Sequence, residues 1–218
     1  MAEPTSRRLP AEQRREQLLD VVTQIVLDEG FGAVSIDRVA RDAQIARTVV
    51  YSQFGNLEGL LEALVDRAAA RAVGQVSAVI PELPVSRDPD VLLVDAIRAF
   101  TTLVRDHPRL WRLVLFPVEG APPLVRRKVA EGRANVFALL EPLVEWGVAQ
   151  RGGPEGLDTE LLARGLLTMG EDAARIVVAE PDRFTPERIA DFTATLLRWL
   201  GPPAPSPERP GPGPEPEA

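Results

Sequence analysis

The stretch EGFGAVSIDRVARDAQIARTVVYSQFGNLEGLLEAL, residues 29–64, decides the fold. It holds two short segments with apolar residues at helical spacing, and only Gln44, Ile45 and Ala46 separate them. Ser35 is a favourable N-cap for the first segment, and the second spans residues 47–54. Two helices joined by so short a turn are typical of a helix-turn-helix, although a generic helical hairpin has the same pattern.

Helical spacing also dominates the rest of the chain, and no convincing alternation of period two is present. Gly30 favours a helix end because glycine readily adopts the left-handed conformation found there. Further helices are predicted at residues 12–29, 57–79, within 110–118, and near 157–179 and 185–200. The sequence therefore predicts an all-α protein.

Composition excludes several classes of protein. The 218 residues include no cysteine and a single histidine, which excludes disulfides and thiolate metal sites and argues against any metal or cofactor. No apolar run approaches the roughly 18 residues of a membrane span, and the polar N-terminus does not resemble a signal peptide. We expect a soluble cytoplasmic protein with no membrane partner.

The charge distribution is uneven. The formal net charge is −7, which would repel nucleic acid if it were spread evenly. Residues 1–57 carry seven arginines against eight acidic side chains, a net charge of −1. Because the acidity lies mostly downstream, the N-terminal segment can still meet a polyanion.

Three regions are predicted along the chain. Residues 1–56 form an N-terminal arm and the helix-turn-helix, and residues 57–200 form a larger helical domain. Residues 201–218 contain eight of the 21 prolines and no large apolar side chain. Such a segment cannot bury enough surface to offset its chain entropy, so we expect a disordered tail.

The quoted stretch resembles the tetracycline-repressor (TetR) family of transcription regulators. It carries the glycine-aromatic pair, the Ser before an apolar residue, and the Tyr-x-x-Phe-Gly signature at Tyr51, Phe54 and Gly55. The resemblance implies a helix-turn-helix DNA-binding domain followed by a helical domain for ligand binding and dimerisation. It further implies a repressor that a small-molecule effector releases from a palindromic operator.

Four residues depart from the family pattern. The family usually has glycine where Gln44 stands, so a positive φ there would strain the backbone by about 1 kcal/mol. Ala46 replaces a common Ser at the start of the recognition helix. Gln53 and Leu57 stand where the family often has His and a phosphate-facing Lys. We expect the DNA contacts to depend more on other residues.

The expected DNA-binding residues follow from how a recognition helix enters the major groove, with its N-terminal residues toward the bases. The base-reading candidates are Arg47, Thr48 and Val49, and the phosphate-binding candidates are Ser35, Tyr51, Ser52 and Gln53. Arg47 can donate two hydrogen bonds to guanine. Arg7, Arg8, Arg14 and Arg15 are further sources of positive charge, although the last two also fit a solvated helix face.

The C-terminal domain is expected to supply two more surfaces. The helix at 157–179 is apolar on two sides, so one side is predicted to face a second copy in a homodimer together with the final helix. The resemblance implies an effector pocket. Its candidate residues, any of which can instead be core, are Phe100, Trp111, Phe116, Phe137, Trp146, Met169, Asp172 and Arg175, with Glu171 as a further polar anchor.

The sequence bears on two other functions, an enzyme and a helical binding or scaffold protein. An enzyme is not expected, because the acidic pairs have no metal-ligand pattern, phosphate loop or nucleophile motif around them. A helical small-molecule-binding or scaffold protein that has lost specific DNA binding stays open, because the usual Lys, Ser and His equivalents are missing.

Overall fold

Every regular element in the described part of the chain is a helix. The computed structural model describes residues 10–83, 86–116 and 121–201, and these ranges contain no β-strand. Their α-helices are α1 Ala11–Glu29, α2 Ile36–Asp42, α3 Arg47–Phe54, α4 Leu57–Val79, α5 Pro89–Asp106, α6 Pro108–Leu115, α7 Pro123–Arg151, α8 Thr159–Ala179 and α9 Pro186–Trp199. The all-α prediction is confirmed. The N-terminal arm with Arg7 and Arg8, Pro117 and Val118, and the tail beyond Gly201 lie outside the described residues.

The predicted apolar stripe of α1 forms the centre of the N-terminal core. Its buried members are Leu18, Leu19, Val22, Ile25 and Val26. The helix ends at Gly30, whose φ of 85° requires the conformational freedom of glycine. Phe31 then folds back and is buried in the same core. Burial of each large apolar side chain contributes roughly 1.5–3 kcal/mol, which holds α1 against α2, α3 and α4.

The joint between α2 and α3 has the tight geometry of a helix-turn-helix. Gln44 has a φ of 55°, the only positive φ of a non-glycine residue in the described ranges. The amide of Ile45 donates to the carbonyl of Ala40 at 2.9 Å, and the small, buried side chain of Ala40 lets the helices approach. The condition for strain at Gln44, a positive φ, is therefore met, and left-handed backbone costs a non-glycine residue about 1 kcal/mol or more.

Helix α4 belongs to two cores at once. Its first half places Leu60 and Leu64 in the N-terminal core, and that core also includes Val125 from the start of α7. Its second half places Ala72 and Val76 in a separate core. One continuous helix therefore connects the helix-turn-helix with the C-terminal domain.

Arg67 of α4 fastens this helix to α1 by polar contacts. Its side chain is only 11% exposed, and its guanidinium lies 2.8 Å from the carboxylate of Asp20 and 3.1 Å from that of Glu16. It also donates to the hydroxyl of Thr23 at 2.9 Å. Arg71, one turn further along, contacts Glu16 at 2.8 Å. A shift of α4 against α1 would break several charged hydrogen bonds together.

The C-terminal domain buries little of its apolar surface within one chain. Helix α7 has 29 residues, of which only Val125 is buried, and α9 buries only Pro186 and Ala190. The small second core combines residues of α4, α5, α6 and α8 around Trp111. Meanwhile Phe192 and Trp199 of α9 are 62% and 80% exposed. Uncovered apolar surface of this extent is typical of a surface that contacts another molecule.

Candidate nucleic-acid interface

Helix α3 presents one face to solvent. Val50 and Phe54 anchor the opposite face in the core. On the outer face Thr48, Tyr51 and Ser52 are exposed. Because Val50 and Phe54, one turn apart, hold the inner face of this helix, the outer face is available to enter a DNA groove.

An ion pair marks the N-terminus of α3. The Nε atom of Arg47, the first residue of the helix, lies 2.9 Å from Oδ1 of Asp37 on α2. Ala46 occupies the N-cap position and provides no side-chain hydrogen bond, as its methyl group dictates. Val49, two residues further along the helix, is half-buried. The candidate base-reading residues thus lie together at the end of α3 that would lead into the groove.

Arg15 of α1 holds the other end of α3. Its guanidinium donates to the backbone carbonyl of Gln53 at 2.9 Å and stacks over the ring of Phe54 at 4.5 Å. A cation at a helix C-terminus also interacts favourably with the helix dipole. Arg15 was expected to be a free charge or a solvated residue, and sequence reasoning missed this role because the partners are 38 positions apart.

The candidate phosphate-binding residues have different local roles. Ser35 caps α2, its hydroxyl accepting from the amide of Arg38 at 3.2 Å. Ser52 donates its hydroxyl to the carbonyl of Val49 at 2.8 Å. Tyr51 is half exposed and its hydroxyl can extend beyond the helix, whereas the side chain of Gln53 is half-buried.

Arg38 is held within the domain by two carboxylates. Both of its Nη atoms donate to Glu29, and its Nε donates to Asp42 at 2.7 Å. The hydrogen bonds to Glu29 and then Asp42, together with their negative charges, raise the pKa of this guanidinium above its usual range. Arg38 is therefore occupied as a surface ion pair.

The candidate pocket residues divide into two groups. Trp111 is buried, stacks edge-to-face on Phe100 with ring centroids 5.1 Å apart, and donates through its indole to Gln75. Phe116 packs against the same cluster. Arg175 donates to the carbonyl of Leu115 at 3.2 Å at the end of α6.

The remaining pocket candidates lie nearer the surface. Phe137 and Trp146 of α7 are half-buried, and Arg164 covers the Phe137 ring at 4.5 Å. Met169 and Asp172 are exposed on α8. The structure therefore brings Phe100, Trp111 and Phe116 together with Arg175 beside them, and the remaining candidates lie outside that cluster.

The N-terminal geometry matches a known family model. The description "Bacterial regulatory proteins, tetR family" matches residues 18–64, which span α1 to the first turns of α4. Known regulators and solved structures are also similar to this chain beyond these residues. The helix-turn-helix region of this chain therefore matches the TetR family.

The similarity of this chain to known regulators covers most of its length. The HTH-type transcriptional activator FasR of Mycolicibacterium smegmatis is 26% identical over 168 residues, which are 77% of this chain and 74% of that protein. A TetR-like transcriptional regulator from Rhodococcus sp. RHA1 has a TM-score of 0.67 at 26% identity, covering 88% of this chain and 98% of the other.

A third comparison concerns the fold alone. The transcriptional regulator FadR of Bacillus subtilis, solved in complex with stearoyl-CoA, has a TM-score of 0.65 at 17% identity and covers 84% of this chain and 96% of its own. The family model and the relative FasR indicate a DNA-binding transcriptional regulator with a helix-turn-helix domain.

Two other kinds of feature are absent from the described part of the chain. It contains no group of three or more His, Asp or Glu side chains placed to hold a metal ion. No helix within those ranges is long and apolar enough to cross a membrane. Because of the departures at Ala46, Gln53 and Leu57, α3 and the start of α4 have no His or Lys. Arg47 is therefore the positively charged side chain that α3 itself provides at this surface.

Proposed function

We propose that this chain is a dimeric repressor that binds a palindromic operator and is released from it by a small-molecule effector. The observation that supports this function is the exposed outer face of α3, with Arg47 and Thr48 at the end that enters the groove. Its buried face holds the helix rigidly, and Arg15 fixes its far end. A rigid exposed recognition helix is the element that reads sequence in helix-turn-helix proteins.

The contacts divide between bases and phosphates. Arg47 donates to O6 and N7 of a guanine, a contact worth about 1–3 kcal/mol of discrimination, and Thr48 and Val49 contact the neighbouring base pairs. Tyr51, Ser52 and Gln53 bind phosphate oxygens and set the register of the helix. The hydroxyl of Ser35 adds a phosphate contact at the start of α2.

A second copy of the chain completes the molecule. The exposed apolar side chains of α8 and α9, among them Leu161, Met169, Phe192, Trp199 and Leu200, form one candidate dimer surface. One recognition helix makes few base contacts and binds weakly. A two-fold dimer would place two such helices roughly 34 Å apart, on successive major grooves of a palindrome.

The effector class that we propose is an acyl-coenzyme A. FadR of Bacillus subtilis was solved with stearoyl-CoA, and its fold is the one found here. The apolar cluster of Phe100, Trp111 and Phe116 offers side chains that suit an acyl chain, and Arg175 beside it offers a cation for the anionic part of the ligand. Binding would shift the population toward a conformation with the two recognition helices displaced, by no more than the ligand's differential affinity.

Selection of operators from a randomised duplex library tests the DNA-binding half of the proposal. The wild-type protein is expected to enrich an inverted repeat and to lose affinity steeply as salt rises. Arg47→Ala should relax base preference, whereas Arg14→Ala, a control arginine that contacts Gln17, should leave it unchanged. Equal effects of the two substitutions on every sequence would refute the assignment of Arg47.

Fluorescence anisotropy of the operator complex tests the effector. Stearoyl-CoA is expected to release the labelled duplex, whereas coenzyme A without an acyl chain should not. Release by neither compound would refute the effector class and leave operator binding intact. A promoter-reporter assay then separates repression from activation, because the relative FasR is named an activator.

A further inference from the structure

The base-reading candidate Arg47 has an acidic neighbour on the other helix of the helix-turn-helix. Asp37 is the second residue of α2, and its Oδ1 lies 2.9 Å from Nε of Arg47. The Arg47 side chain is 66% exposed and that of Asp37 is 52% exposed. The pair therefore lies on the same solvent-facing surface as the rest of the candidate interface.

Stability accounts for only a small gain from a carboxylate at this place, because an acidic side chain in the first turn of a helix contributes about 0.3–1 kcal/mol. Exposed ion pairs contribute about 0–1 kcal/mol to folding. A negative charge on a surface that must approach phosphates also opposes binding to any DNA sequence. Asp37 consequently weakens general DNA affinity, and its contribution to binding must be sought in specificity.

The geometry of the pair suggests how specificity arises. The carboxylate of Asp37 lies beside Nε, on the inner edge of the guanidinium, while Nη1 and Nη2 form the outer edge. Two parallel N–H donors on one edge are what a guanine O6 and N7 require. A free arginine side chain loses about 2 kcal/mol of rotamer entropy when it is fixed, and a neighbouring carboxylate reduces that loss by restricting it beforehand.

Arg38 provides a contrast on the same helix. Its Nε contacts Asp42 and both Nη atoms contact Glu29, so carboxylates engage both edges of its guanidinium. For Arg47 the described residues show an ion pair at the Nε edge. Arg47 is also the more exposed of the two side chains, at 66% against 33% for Arg38.

We infer that Asp37 is a positioning residue that orients Arg47 toward a guanine and so determines specificity at one base pair of each operator half-site. This inference rests on the proposed function, in which Arg47 reads a base. It assigns to α2 a part in sequence selection that involves no direct base contact by Asp37.

The test compares operator selection by four proteins: the wild type, Arg47→Ala, Asp37→Asn and the matched control Asp42→Asn. Asp37→Asn is expected to lower the preference for guanine at the position read by Arg47 by about three- to tenfold, part of the discrimination that a bidentate contact provides. The same variant should bind random-sequence duplex more tightly, because a negative charge is removed. Asp42→Asn removes the same charge beside Arg38 and should leave the selected sequence unchanged.

The outcomes distinguish the inference from the proposal beneath it. If Arg47→Ala loses the guanine preference while Asp37→Asn keeps it, Asp37 has no positioning role and the base reader stands. If Asp37→Asn changes affinity equally for all sequences, its effect is charge alone and the inference is overturned. If neither Arg47→Ala nor Asp37→Asn alters the selected sequence, or the wild type selects none, the base-reading function itself fails.

An Asp37→Asn, Arg47→Ala double variant provides the second readout. It should show the same base preference as Arg47→Ala alone, because Asp37 acts only through Arg47. A further loss of preference in the double variant would show a direct contact by Asp37 and contradict the inference. Thermal unfolding checks that each variant is folded, and the exposure of both side chains predicts nearly unchanged melting temperatures.

Discussion

Replacing Phe192 with aspartate should separate the proposed dimer into monomers. Phe192 is 62% exposed on α9, so a partner that covers it would remove roughly 120 Å² of apolar surface per subunit, out of about 200 Å² for the whole side chain. At about 25 cal/mol per Å² this burial stabilises the dimer by about 3 kcal/mol per subunit and about 6 kcal/mol for the symmetric pair. The expected increase in dissociation constant is on the order of 10⁴-fold.

Sedimentation equilibrium over a wide range of protein concentrations measures this change directly. The matched control is Val129→Asp, which also places an acid at an exposed apolar position, but on α7 beside Lys128. The wild type and Val129→Asp should be dimers at micromolar concentration, and Phe192→Asp should be a folded monomer with weakened operator binding. A dimer of unchanged affinity in Phe192→Asp, or a monomeric wild type, would refute the assignment of this face.

Three predictions concern the stability of the single chain. Gln44→Gly should raise the free energy of unfolding by a few tenths of a kcal/mol to about 1 kcal/mol, because glycine removes the left-handed strain but loses more chain entropy on folding. The control Gln13→Gly, within α1, should lower the free energy of unfolding. Urea denaturation of both variants measures the two changes. Arg67→Met keeps the buried stem of the side chain but removes its polar contacts to α1. We therefore expect the free energy of unfolding to fall by about 1–3 kcal/mol, and by less at high salt. An equal loss at all salt concentrations would contradict an electrostatic cause. The backbone amide of Glu187 itself, and then the hydroxyl of Thr185, lower the pKa of the Glu187 carboxyl at the start of α9. Its stabilising effect is therefore complete above the unfolded-state pKa and is lost as pH falls through the lower folded-state pKa. An NMR titration of the carboxyl carbon measures that pKa, and a value at or above the ordinary one would contradict the contact.

The local chemistry of the N-terminal 64 residues was sufficient to predict their helices. Ser35 and Asn56 cap helices because their side-chain oxygens accept from free amides at short sequence separation. The strain at Gln44 followed from the length of the turn and the usual glycine of the family. The buried stripe of α1 followed from helical spacing, which is also a local property.

The tertiary structure alone decided the contacts between distant parts of the chain. Neither the Arg15 contact to Gln53 nor the Arg47 contact to Asp37 leaves a periodic signal in the sequence, because each depends on how two helices are oriented. The same reason explains the pocket candidates: helical spacing marks Met169 and Phe100 alike as apolar, and only the packing of α8 leaves Met169 exposed while Phe100 meets Trp111. Sequence periodicity shows which side of a helix is apolar, whereas the assembled helices determine what that side contacts.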